Sequence, residues 1–222
     1  MKEKSYSQII ANGIKSFLEE DDWHFSFDEQ RGLFEFGLSL KGKLKKINYI
    51  VKVKEADYVV YAVSPIGADA DDEKTMLNMA DFVCRANYGL VNGNFELDMS
   101  DGEVRFKCFV DCDGITPTKE MVRNSIYCPY AMFKRYGAGV IDIIYGNAPA
   151  KEAIERCEKA TEDELRTLLS ELFDVEESCE LDELIEKMVD RPDSANEEKN
   201  TEVESKPIHL KTNLFGTEGA DA

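Results

Sequence analysis

Three stretches between residues 25 and 53 alternate apolar and polar side chains with a period of two. This pattern constrains the fold more than any other feature of the chain. Phe25 and Phe27 flank Ser26. Phe34, Phe36, Leu38 and Leu40 alternate with Glu35, Gly37 and Ser39. Ile47, Tyr49, Val51 and Val53 follow, with Lys52 and Lys54 in the opposite phase. Side chains one residue apart on a strand point to opposite faces, so each stretch predicts a strand with one buried face. The turn at Lys41-Gly42-Lys43 separates two of them. Tyr58–Val63 is apolar in both phases, which predicts a strand in the middle of the sheet. A second pair lies further on. Phe95, Leu97 and Met99 are joined through Ser100-Asp101-Gly102-Glu103 to Val104, Phe106, Cys108, Val110 and Cys112. Asp-Gly between alternating runs is a strong hairpin signal.

Helical spacing brackets these strands. Tyr6, Ile9, Ile10, Ile14, Phe17 and Leu18 form one stripe over residues 4–21. Asp69, Asp71 and Asp72 offer caps to a second helix carrying Met76, Met79, Ala80, Val83, Cys84 and Asn87, which ends near Gly89. Thr116-Pro117 predicts the start of a third. Pro129 should break or kink it, because proline lacks a donor and disfavours helical geometry before it. Met132, Phe133, Tyr136, Val140, Ile141 and Ile144 then mark a further helix. Thr161-Glu162-Asp163-Glu164 reads as a capping box ahead of Leu165, Leu168, Leu169, Leu172 and Phe173. Leu181, Leu184, Ile185 and Met188 form one more short stripe. The expectation is an α+β fold: an antiparallel sheet of about five to six strands with helices packed on one face. C-terminal helices and a disordered acidic tail follow. The boundaries are 1–158 for the sheet domain, 159–189 for an amphipathic helical extension and 190–222 for the tail. The tail's apolar end, Pro207–Phe215, reads as a docking motif or as a segment that folds back.

Charge narrows the partners. The formal net charge is −18, of which residues 158–222 carry −13 (7 basic against 20 acidic). Such a chain is repelled by phosphate backbones and anionic lipid surfaces, so neither nucleic acid nor a membrane is an expected partner. No stretch reaches the ~18 apolar residues of a membrane span, and Met1-Lys2-Glu3-Lys4-Ser5 leads into no signal-peptide core. A cytoplasmic location is expected. Cys84, Cys108, Cys112, Cys128, Cys157 and Cys179 then read as reduced thiols used as small hydrophobes.

The inventory for catalysis is thin. His24, beside Trp23 at a helix-to-strand junction, and His209, in the tail, are the two histidines; each reads as structural or solvent-facing, and they leave almost no material for a zinc site. Asp98, Asp101, Asp111 and Asp113 flank the hairpin ends, where turn chemistry explains them. Asp111-Cys112-Asp113-Gly114 lacks the remaining ligands of a calcium loop. Gly137-Ala138-Gly139 lies in a helical pattern rather than after a strand, so close helix packing explains it better than a dinucleotide site. No catalytic, cofactor-binding or metal-binding set is expected.

The stretch Asn87-Tyr88-Gly89-Leu90-Val91-Asn92-Gly93-Asn94-Phe95-Glu96-Leu97, followed by Gly102-Glu103-Val104-Arg105-Phe106, resembles the signature of the YbjN family. In that family a helix ends in asparagine, a Gly-x-Phe opens a strand, and a Gly-x-Val-Arg-Phe-like partner closes the hairpin. The order of helix, Asp21-Asp22-Trp23 and paired strands is similar too, over about residues 4–158. The resemblance implies a fold like that of type III secretion chaperones, small acidic proteins that bind partner segments and are often dimeric. It implies a bacterial cytoplasmic protein, chaperone-like or regulatory, of a family described as sensory-transduction regulators. It supplies no catalytic residue. Asn87, Gly93, Phe95 and Gly102 would serve helix termination, a permissive turn, core anchoring and the hairpin turn. Two alternatives stand beside non-enzymatic protein binding. One is a small-molecule sensor or enzyme built on carboxylates and tyrosines. The other is a structural homo-oligomer assembled through 161–188.

Overall fold

A computed structural model describes residues 5–173. The chain is α+β, with one antiparallel six-stranded sheet and four helices. Helix α1 (Gln8–Glu20) precedes β1 (Phe25–Asp28), β2 (Leu33–Ser39), β3 (Lys46–Val53) and β4 (Asp57–Val63). Helix α2 (Glu73–Asn87) leads to β5 (Asn94–Leu97) and β6 (Val104–Asp111), then α3 (Lys119–Gly146) and α4 (Ala150–Phe173). The strand order is β1-β2-β3-β4-β6-β5, which places β4 inside the sheet as its apolar sequence requires.

The period-two pattern sorts the faces. Phe34, Tyr49, Val51, Val60, Phe106 and Cys108 point inward and are buried under the helices, whose buried stripes share the same core. In α1 that stripe is Ile10, Ala11, Ile14, Phe17 and Leu18; Ile9, expected within it, is 63% exposed. Tyr6 lies ahead of the helix, which Ser7 caps, and donates to the Glu29 carbonyl at 2.8 Å. The cap of α3 is Thr118 rather than Thr116, its Oγ1 accepting from Met121 N at 3.2 Å. Cys84, expected on the apolar face of α2, is exposed. Gly137-Ala138-Gly139 does serve helix packing: a Cβ on Gly139 would lie 2.5 Å from Phe82 and 3.0 Å from Cys157 Sγ. Among the described residues no helix is long and apolar enough to cross a membrane.

Two expected helix boundaries are absent. Thr161 lies inside α4, where its hydroxyl donates back to the Cys157 carbonyl at 2.9 Å instead of capping a new helix. No helix break therefore marks the 158/159 boundary. Leu181–Met188, Cys179, His209, Pro207–Phe215 and the 190–222 tail lie outside the described residues.

Pro129 does not break α3, which runs on for 28 residues. Its ring brings no N–H to the Ser125 carbonyl and disturbs the ladder around it. Tyr49 on β3 reaches this stretch of α3, its hydroxyl donating to the Ile126 carbonyl at 2.9 Å. A side chain from the sheet thus bonds to the helix ladder beside the proline. On β4, the Tyr58 hydroxyl lies 3.1 Å from Ser125 Oγ, which itself donates to the Val122 carbonyl at 2.8 Å.

Both phenols are held protonated by burial. Tyr58 is pushed up to about 12 and Tyr49 higher still. Tyr49→Phe would remove the donor to the buried Ile126 carbonyl, so urea titration should show a loss of about 1–3 kcal/mol. In the unfolded chain tyrosine ionises near ~10. These raised values therefore contribute stability that is complete below about pH 10 and lost as pH rises through about 12. Urea midpoints at about pH 9 and about pH 11 should differ in wild type, and differ less in Tyr58→Phe.

Candidate functional site

Among the described residues no helix packs on the outward phase of the sheet. Its central row runs Glu35, Ile50, Tyr61, Lys107, Asn94 across β2, β3, β4, β6 and β5. One adjacent row runs Leu33, Lys52, Val59, Phe109, and the other Gly37, Asn48, Val63, Arg105, Glu96. Ile50, Val59, Tyr61, Val63 and Phe109 form a contiguous apolar centre on a face open to solvent. Phe109 is 54% exposed, whereas Val59 falls to 6% because its neighbours crowd over it.

Charges frame that centre. Arg105 lies 4.6 Å over the Tyr61 ring and pairs with Glu96 at 2.8 Å; Lys107 also pairs with Glu96. Partial burial opposes ionisation of Glu96, but the hydrogen bonds from Lys107 and Arg105 outweigh it and hold its carboxyl below the ordinary value. Lys46 and Lys52 are exposed and have no ion-pair partner among the described residues. The face therefore offers apolar contact at its middle and two free cations on β3.

The edges offer less. Strands β1 and β5 have four residues each. The β5 edge is also partly occupied, because the Asn87 carboxamide accepts from Phe95 N at 2.7 Å and donates to Phe95 O at 2.9 Å. Asn87 was expected to end a helix; in addition it occupies both outward backbone groups of Phe95. Gly93, with φ 74°, follows, and a Cβ there would meet Phe106 at 2.4 Å. Gly102, with φ 76°, forms the hairpin turn, where a Cβ would fall 1.9 Å from the Ala68 carbonyl oxygen. Phe95 is buried among Phe106, Phe133 and Tyr136. The four motif residues thus hold one corner of the fold together.

The carboxylates do not converge. Asp98 and Asp101 lie in the β5–β6 turn, where each accepts from the backbone two residues on; Asp111 does the same toward Asp113 at the opposite end of β6. The hydrogen bonds from Ser100 hold the Asp98 carboxyl below its ordinary value. His24 is exposed at the α1–β1 junction. Among the described residues no group of three or more His, Cys, Asp or Glu is placed to hold a metal ion.

One pair of thiols carried no signal in the sequence. Cys108 on β6 and Cys128 on α3 both lie beside the Asn92-Gly93 turn, with Cys128 Sγ donating to the Asn92 carbonyl oxygen at 3.6 Å. The neighbouring Cys128, aided by burial, raises the Cys108 thiol. Cys108, against partial burial, lowers that of Cys128.

No protein-family model matches the chain, and no curated protein matches it.

Cys128 should therefore be the first of this pair to ionise as pH rises. Residue-resolved iodoacetamide labelling across pH should show its midpoint moving upward in Cys108→Ala. Cys108→Ser, which keeps a donor, should leave it low. An unchanged midpoint in Cys108→Ala would show that the thiols do not communicate.

Proposed function

We propose that this protein is a non-enzymatic binding module, chaperone-like or regulatory, that holds a segment of another protein against the open face of its sheet. The observation that carries this reading is the apolar centre formed by Ile50, Val59, Tyr61, Val63 and Phe109 on a face that no helix covers among the described residues. Apolar surface left on one contiguous patch, framed by charge, is the usual mark of a protein-interaction site. Short edges, one of them partly occupied by Asn87, favour the face over strand addition.

The partner chemistry follows from what the face lacks. Lys46 and Lys52 call for carboxylates, and the apolar centre calls for aliphatic or aromatic side chains. The segment bound is amphipathic, with acidic residues beside an apolar stripe. The likeness of Asn87, Gly93, Phe95 and Gly102 to the YbjN signature supports the same reading, and with it a type III secretion chaperone-like fold and a bacterial cytoplasmic setting.

The test uses the full chain as bait in native bacterial extract, with bound proteins mapped by overlapping peptides. Wild type should retain a partner whose binding peptide is acidic and amphipathic. Ile50→Lys or Phe109→Asp should weaken that peptide at least about tenfold, equivalent to about 1.4 kcal/mol. A partner held equally by wild type and both face variants, or no partner at all, would end this reading.

A further inference from the structure

Helices α3 and α4 run antiparallel, with Lys134 opposite Glu164 at one end and Asp142 opposite Arg156 at the other. Between them lies a groove of about 520 Å³, within the size range of small-molecule sites. Its walls hold the methyl groups of Ala131, Ala138 and Ala160 together with Met132 and Cys157. The alanines keep the groove open, since longer side chains at those positions would fill it.

The charge of the lining runs against that of the chain. Lys43, Lys134, Arg135 and Arg156 line it with Asp142 and Glu164, while Glu152 and Glu158 pair with Arg156 and Arg135 from its margin, in a protein of net charge −18. One carboxylate serves two of them. Asp142 takes Lys43 Nζ on Oδ1 at 2.5 Å and Arg156 Nε on Oδ2 at 3.5 Å. Arg135 is compensated least. Its nearest carboxylate, Glu158, stands 3.8 Å from a terminal nitrogen, and its Nε is buried with no acceptor among the described residues. A buried N–H without an acceptor costs free energy that an incoming acceptor would recover. Arg135, the least compensated of the four, is therefore the group to which an anion would turn, and it sits beside an apolar wall.

We propose that this groove binds a small amphipathic organic anion. Its anionic head lies against Arg135 and the cations around Asp142, and its compact apolar body lies on the alanine wall. A guanidinium suits such a head because its planar fork meets carboxylate, sulfonate or phosphate oxygens in pairs. The site is separate from the sheet face and does not depend on the function proposed for it.

The probe is anilinonaphthalene sulfonate, whose fluorescence rises on entering an apolar site, titrated into the full chain. Phenylnaphthylamine, with a similar aromatic body and no sulfonate, is the neutral comparison. Wild type should bind the sulfonate saturably and at least tenfold more tightly than the neutral dye. Arg135→Met, which keeps the apolar stem, should erase that preference. Ala138→Phe should abolish binding by filling the groove. Phe109→Lys, on the sheet face, should leave binding unchanged. Circular dichroism checks that each variant is folded, and if Ala138→Phe is not, Arg135→Met decides. Equal affinity for both dyes, an Arg135→Met chain that binds like wild type, or loss confined to Phe109→Lys would each overturn the proposal.

Discussion

One hydroxyl group, that of Tyr49, ties the sheet to α3 beside the proline inside that helix. It donates to the Ile126 carbonyl in the core, three residues before Pro129. The same helix supplies Phe133, Tyr136, Val140 and Ile143 to a common interior. The arrangement is reciprocal. Tyr49 needs a partner for its buried hydroxyl, and the disturbed ladder at Pro129 offers one. Tyr58 repeats the logic one strand over, through Ser125. The sheet and its main helix are therefore joined by directional bonds as well as by apolar contact, which fixes how α3 is seated.

The sequence made the sheet legible because its signal is local. Alternation in Phe34–Leu40 and Ile47–Val53, the double-faced Tyr58–Val63 and the Asp101-Gly102 turn are each written within a few residues. They yielded both the strand count and the inner position of β4. Helix continuity was not legible. Pro129 carries a local stop signal, and the bond beside it comes from Tyr49, 80 positions earlier in sequence. Thr161 likewise has the local pattern of a cap, yet the surrounding turns of α4 continue on both sides of it. Cys84 and Ile9 fit an apolar phase but fall at the margin of their stripes, where a small angular offset puts a side chain in water.

The candidate sites were legible only in part. The alternation placed one face of each strand outward; which residues meet there required the register that sets Ile50 against Tyr61 and Val59 against Phe109. The cationic groove could not be read at all. Lys43, Arg135 and Arg156 are spread over more than a hundred positions, and each is unremarkable on its own element. Only the antiparallel seating of α3 and α4 brings them together.

The Asn87 carboxamide has a consequence for assembly. By taking both outward backbone groups of Phe95 it occupies the middle of the short β5 margin of the sheet, and β1 is the other margin. Open-ended growth through strands needs two different free margins, so that each copy can receive one neighbour and offer itself to the next. A strand arriving at β5 would first have to displace the Asn87 carboxamide, whereas a contact of β1 with β1 closes on itself after two copies. The carboxamide therefore weighs against fibre growth through strand pairing.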